Sequence, residues 1–231
     1  MALALSLGQR GQGSVWPNPA VGCVIVRGGR IVGRGWTQPD GRPHAETMAL
    51  EQAGAGAHQA TAFVTLEPCA HHGATPPCAD GLIAAGIARC VVAIADPDTR
   101  VSGRGIAKLQ AAGIEVSVGC QTQEALVAHR GFFSRLQHGR PRVTLKLATS
   151  LDGRIATARG ESQWITGSEA RRDVHGLRAC HDAVLVGGGT ARADNPSLTA
   201  RGLGLNRQPV RIVASRHLDF DAPALQTSRD I

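Results

Sequence analysis

Along the first 140 residues short apolar runs alternate with segments of helical period, and that alternation restricts the fold more than any other feature. "AVGCVIVRGGRIVGRGW" (20–36) reads as two strands turned at Gly28-Gly29, a glycine pair suited to the positive φ of a tight hairpin. Behind His44, "AETMALEQAGAG" has a helical pattern of about three turns that ends at the glycines at 54 and 56. Strands are expected at 61–67, 89–95 and 114–119, with helices at 79–86 and 105–113 between them and a closing helix over 121–137. Strands joined through helices require crossovers, which lay helices on the faces of a sheet. A layered α/β domain follows.

The polar stretch "HGRPR" (138–142) reads as a linker. Beyond it "VTLKLATS" (143–150) is expected as a strand, "SEARRDVHGLRACH" (168–181) as a helix, and "AVLVGGG" and "PVRIVAS" as strands. The expected domains are therefore 1–140 and 143–231, both α/β. The last stretch, "DFDAPALQTSRDI" (219–231), closes no recognisable element, so the second domain is expected to be incomplete, its N-terminal part only.

No run approaches the roughly 18 apolar residues of a membrane span. "MALALSLGQRGQG" is apolar for only about seven residues and has no basic segment before them, which argues against a secretory leader and for the cytoplasm. Lys and Arg total 25 against 18 Asp and Glu, a formal charge of +7 that suits anionic ligands. Three Trp, four Phe and no Tyr offer little for stacking bases, and the basic residues are spread along the chain. Small phosphorylated ligands are the expected partners, with neither nucleic acid nor membrane.

Of six cysteines, Cys23 and Cys90 lie in apolar runs and read as buried thiols. Cys69 and Cys78 lie in "PCAHHGATPPC", a polar stretch after the strand at 61–67. With His44 they offer two thiolates and an imidazole, a three-ligand zinc set whose fourth position stays open for water. Glu46, two residues after His44, is then placed to carry a proton beside the metal; on local chemistry alone it is equally a first-turn helix acid. His-Ala-Glu followed by Pro-Cys fits the pattern of zinc-dependent nucleobase deaminases, except that eight residues rather than two separate the thiols. A structural site with His71 or His72 as fourth ligand is the competing reading. An adjacent acid favours the catalytic one, with both histidines as loop residues near the substrate.

Taken together, "PNPAVGCVIV", "HAE" and "TLEPCAHHGATPPC" resemble the deaminase domain of the bifunctional deaminase/reductase family of riboflavin biosynthesis. The resemblance continues through "LKLATSLDGRIATARGESQWIT", "EARRDVHGLRA" and "GGGTARADNPSLTAR". It implies a cytidine-deaminase-like three-layer α/β/α domain followed by an incomplete dihydrofolate-reductase-like α/β domain. The first would deaminate 2,5-diamino-6-(5-phosphoribosylamino)pyrimidin-4-one, with Zn2+ on His44, Cys69 and Cys78, Glu46 as proton carrier and Asn18 holding the pyrimidine. The second would reduce the ribosyl group to ribityl with NADPH. Ala148, Trp164, Thr190, Asp194 and Ser215 would then meet the cofactor, and Ser162, Arg178, Leu198 and Arg201 the substrate. The family also implies a homo-oligomer. Two places depart from it. Ala74 stands where the family carries Lys or Arg against the substrate phosphate, and "DPDTRVSGRG" lacks the usual Asn and Pro after "DP". A chain ending within the second domain is expected to deaminate and to reduce poorly. A zinc deaminase acting on another base is the alternative.

Overall fold

The structure, a computed structural model, describes residues 1–73, 75–98 and 102–216; Ala74, Thr99 to Val101 of the departing loop and the final stretch 217–231 lie outside the described residues. The chain divides between Val143 and Thr144 into two units.

In the first unit the expected hairpin forms between β1 (Gly22–Arg27) and β2 (Arg30–Trp36), with Gly28 and Gly29 at φ 55° and 74°. β3 (Thr61–Val64), β4 (Arg89–Val92) and β5 (Glu115–Val118) complete a sheet of order β2-β1-β3-β4-β5. β1 is antiparallel to both β2 and β3, and β3, β4 and β5 are mutually parallel. β2, β3 and β4 therefore point the same way, and their C-terminal ends share one edge of the domain.

Side chains alternate across the sheet as a period of two demands. Cys23, Ile25, Ala62, Val64, Cys90 and Val92 face one core with Ala45, Ala49, Ala79, Leu82 and Leu109. These last come from α2 (Ala45–Ala53), α3 (Cys78–Ala84) and α4 (Arg104–Ala111). Val24 and Phe63 face the other way, against Ala4 and Leu7 of α1 (Ala2–Gln9). α1 packs in turn on α5 (Thr122–His138), through Leu5 and Ala125. The result is the expected helix–sheet–helix layering. Cys23 and Cys90 are fully buried, and burial raises both thiol pKa values, as their apolar surroundings imply.

Glycine makes the close approach of α2 possible. A methyl at Gly35 would sit 2.1 Å from the Ala45 carbonyl oxygen, and one at Gly33 the same distance from that of Ala49. β2 thus meets the helix backbone to backbone and holds its first turn, where His44 and Glu46 lie, against the sheet.

The second unit contains α6 (Ser168–Ala179), β6 (Ala183–Gly187), α7 (Gly188–Asp194) and β7 (Val210–Ala214), with β6 and β7 parallel. One expectation is overturned. "VTLKLATS" takes no strand pairing, and Val143, Leu145 and Leu147 are 82%, 79% and 64% exposed. The stretch has the alternation of a strand, but among the described residues it has no neighbour to complete a ladder, and the ladder is what makes a strand. No helix among the described residues is long and apolar enough to cross a membrane.

Candidate active site

Three chain segments meet at the C-terminal edge of β2, β3 and β4, where open α/β sheets place their ligands. His44 is the N-cap residue of α2, so its backbone is extended (φ −70°, ψ 161°) while the next residue is already helical. Glu46 follows in the first turn. Cys69 lies just past β3, and Cys78 opens α3.

The ligand atoms of His44, Cys69 and Cys78 all lie within 4.8 Å of one another. His44 Nδ1 is 3.2 Å from Cys78 Sγ and 3.8 Å from Cys69 Sγ. Zinc bonds of about 2.0 and 2.3 Å at a tetrahedral angle put nitrogen and sulfur about 3.6 Å apart, between these two separations. The Cys78 backbone N–H donates to Cys69 Sγ at 3.3 Å, directing the first turn of α3 at the sulfur. Hydrogen bonding from Cys78 and from His44 holds the Cys69 thiol well below its ordinary pKa in spite of burial, whereas sharing that hydrogen and being buried raise Cys78. One sulfur is thus a ready thiolate. His44 is raised, first by its hydrogen bond to Cys69, against burial and against the charge of Arg42. These donors fit zinc in type, number and spacing. His71 and His72 are exposed and outside the cluster, so a fourth protein ligand is not supplied by either.

Glu46 is 4% exposed. Burial, and then the negative charge of Cys69, push its carboxyl up to about 7. A carboxyl that titrates near neutrality beside a metal site both accepts and returns a proton readily. A helix-start acid on the surface would keep an ordinary carboxylate pKa, whereas Glu46 is buried beside the cluster.

Asn18 lies beside the loop that enters α2, its Nδ2 donating to the Gly41 carbonyl at 3.0 Å. The preceding Pro17 carbonyl accepts from Arg135 of α5 at 2.7 Å, which fixes the "PNP" turn to the domain.

Two residues with structural consequences for the site escape a reading by motif. Glu67, 4% exposed, accepts backbone N–H bonds from Asp96 (3.2 Å), Gly103 (3.0 Å), Gly105 (2.9 Å) and Ile106 (3.3 Å). It caps α4 from outside the helix and ties the loop after β4 to the segment that carries Cys69. An acid at the end of an apolar strand, just before Pro-Cys, was the available signal. Arg42 is the other: its Nη1 donates to the Thr75 hydroxyl in the loop between the two cysteines.

In the second unit the residues expected at the cofactor and substrate are gathered in part. Thr190 and Asp194 share α7, and Ser215 lies where β7 ends, so close to Gly188 that a methyl there would be 2.5 Å from its Oγ. Arg178 of α6 donates to the Thr199 carbonyl at 3.0 Å; burial and then the charge of Arg201 lower its pKa. Two guanidiniums near enough to repel form a natural seat for an anion. Leu198 is buried beside them at φ 54°. Trp164 is 69% exposed and lies under the Arg171 guanidinium, 4.3 Å from its ring centroid. Ser162 is exposed and Ala148 half-buried, and among the described residues no hydrogen bond joins either to that group.

A His-Cys-Cys cluster with a buried neighbouring glutamate on a mixed sheet defines the class of zinc-dependent, cytidine-deaminase-like proteins, and residues 1–94 match the cytidine and deoxycytidylate deaminase zinc-binding region. Residues 141–230 match the RibD C-terminal domain. The riboflavin biosynthesis protein RibD of Escherichia coli is 53% identical over 92% of the chain, and that of Aquifex aeolicus 50% identical over 97%. Among solved structures, Acinetobacter baumannii RibD superposes with a TM-score of 0.88 at 46% identity, covering 98% of this chain and 65% of that one. A Thermotoga maritima diaminohydroxyphosphoribosylaminopyrimidine deaminase/5-amino-6-(5-phosphoribosylamino)uracil reductase does so with 0.86 at 45%, covering 92% and 61%. Over most of its length the chain is thus similar to RibD proteins. It spans 61% of the Escherichia coli protein's length and 63% of the Aquifex aeolicus protein's.

Proposed function

We propose that the first unit hydrolyses the 2-amino group from 2,5-diamino-6-(5-phosphoribosylamino)pyrimidin-4-one and that the second contributes to the NADPH-dependent reduction of the ribosyl group to ribityl, two steps of riboflavin biosynthesis. The observation that carries the first activity is the burial of Glu46 against the His44–Cys69–Cys78 cluster.

Zinc on those three ligands would supply the Lewis acidity that makes a water nucleophilic near neutral pH. The protein's own part is proton transfer and positioning. Glu46 takes a proton from the water as its oxygen bonds to C2 of the pyrimidine. It then delivers that proton to the departing amine, the C–N bond breaks and ammonia leaves, and the remaining hydroxyl proton passes to the adjacent ring nitrogen, so that C2 becomes a carbonyl carbon. Asn18, held at the rim by its bond to Gly41, is suited to orient the ring through its amide.

For the second activity, the neighbouring Arg178 and Arg201 suit the substrate phosphate, with Ser162 and Leu198 beside the sugar chain. Ala148, Trp164, Thr190, Asp194 and Ser215 are assigned to NADPH. We further propose a cytoplasmic homo-oligomer, tested by sedimentation of the purified chain.

The decisive experiment is ammonia release by the zinc-loaded chain. Glu46→Gln should keep its zinc and lose about a hundredfold or more in kcat, while Cys69→Ser and Cys78→Ser should lose zinc as well. A Glu46→Gln protein within a few-fold of the parent rate overturns the role given to Glu46, and zinc content unchanged in both cysteine variants overturns the ligand assignment.

A further inference from the structure

The rim of the cluster carries a cation that neither the zinc chemistry nor the proton relay uses. Arg42 stands two residues before the ligand His44, and its charge is felt there. Its side chain crosses to the loop between the two cysteines, where Nη1 donates to the Thr75 hydroxyl. It runs beside Gly73 so closely that a methyl on that residue would be 3.0 Å from Nη2. The missing side chain at Gly73 lets the guanidinium lie this close to the loop backbone. Among the described residues no carboxylate forms an ion pair with Arg42. A guanidinium has five N–H donors, and Thr75 takes one. Arg42 is thus braced and half-buried beside the metal ligands, with no carboxylate paired to it among the described residues.

The substrate class in the proposed function brings a phosphate monoester to this rim, joined through a ribosyl group to the ring that must meet the zinc site. A fork of N–H donors already fixed at one end loses little freedom in binding such a group and can meet two of its oxygens at once. We propose that Arg42, held in place by Thr75, recognises the phosphate of the deaminase substrate and sets the preference for phosphorylated over unphosphorylated pyrimidines. This rests on the deaminase reading, and the tests are chosen so that the two can fail separately.

The first test compares deamination of the phosphoribosylamino-pyrimidine with that of its dephosphorylated ribosylamino counterpart. In Arg42→Gln the KM for the phosphorylated substrate should rise about ten- to a hundredfold, the loss expected for one charge-assisted contact. kcat should stay within a few-fold, zinc content should be unchanged, and kcat/KM for the dephosphorylated compound should not move. Arg42→Lys should recover part of the loss, because it restores the charge without the fork. Added salt should raise KM in the parent more than in Arg42→Gln. Arg30→Gln, at the exposed start of β2, controls for overall charge and should behave as the parent. Equal losses on both substrates, loss of zinc, or no loss at all would overturn the proposal.

The second test needs no turnover. Calorimetry with ribose 5-phosphate, in an Arg178→Gln, Arg201→Gln background that silences the second unit's arginines, should show binding that weakens at least tenfold when Arg42→Gln is added. Unchanged binding overturns the assignment of Arg42 even if deamination proceeds as proposed. If the zinc-loaded parent releases no ammonia from either compound, the deaminase reading falls while this binding result still decides whether Arg42 holds a phosphate.

Discussion

Removing the Glu67 carboxylate should unfold the region around the zinc ligands rather than merely weaken a contact. Its two oxygens accept four backbone N–H bonds spread over residues 96–106. In Glu67→Ala those donors lose their acceptor together. The Gly103 and Ile106 donors are only partly buried and can turn to water, so the firm part of the loss is the two buried ones, from Asp96 and Gly105. An orphaned buried donor costs about 1–3 kcal/mol, which puts the variant ~4 kcal/mol below the parent and makes the loss a large share of a domain's stability of about 5–15 kcal/mol. For a unit of this size each kcal/mol moves Tm by roughly 3 °C, so a drop of about 12 °C is expected. The assay is thermal and urea unfolding of zinc-saturated protein, with hydrogen exchange read at Gly103, Gly105 and Ile106. A loss under ~1 kcal/mol with exchange at those amides unchanged would show that the carboxylate is not what holds the loop, and the reasoning would fail.

Three further outcomes follow from the packing. Burial lowers the His129 pKa from 6.5 to about 4, so the folded state resists protonation and stability should be full above pH 6.5 and fall as pH drops toward 4; the displacement corresponds to ~3 kcal/mol. His129→Gln should flatten the fall in Tm between pH 6.5 and 4, and an equal slope in both proteins would refute it. Gly105→Ala would put a methyl 1.9 Å from the Pro68 carbonyl oxygen, and the forced displacement of α4 should cost about 1–3 kcal/mol; an unchanged Tm would mean that the helix yields freely. Thr75→Val should free the Arg42 side chain and raise KM for the phosphorylated substrate a few-fold without altering kcat, less than Arg42→Gln does. An effect equal to that of Arg42→Gln would make the threonine itself a phosphate contact.

The parts legible in the sequence are those whose geometry is local. Gly28-Gly29 specifies its own turn, and Gly54 ends α2 at φ 50° just where the helical pattern stops. His44 and Glu46 share a helix start, and their pairing with two cysteines is a statement about residue types that spacing preserves. α1 escaped notice for the opposite reason. "ALALSLGQ" has no side-chain cap, and it is held by contact with β1, where Gly22 lets the backbone of Ala4 come so near that a methyl would lie 1.8 Å from its carbonyl oxygen. His129 was readable as a helical residue, but its hydrogen-bond partner Thr65 is 64 positions away. "VTLKLATS" shows the converse error, since alternation marks a chain that could join a sheet and says nothing of whether a neighbour is there.

Glu67 belongs to the illegible part for a deeper reason, and it explains how the site holds together. Its partners are backbone amides, which every residue but proline possesses, so no residue type marks them in the sequence. Three of them, at Gly103, Gly105 and Ile106, lie at the start of α4, whose N-terminus points at the segment bearing Cys69. α2 and α3 do the same, through His44 with Glu46 and through Cys78. Three helix starts thus converge on the end of β3, where a thiolate and a buried carboxylate stand two residues apart. Negative charge is tolerable there because the free N–H groups of those first turns answer it. The crossover topology supplies the convergence: the parallel strands deliver each following helix to the same edge of the sheet, N-terminus first. A cation with two thiolate ligands would complement an environment already arranged for negative charge, and the Glu46 carboxyl, pushed up to about 7 first by burial, is suited to the proton transfer proposed for it.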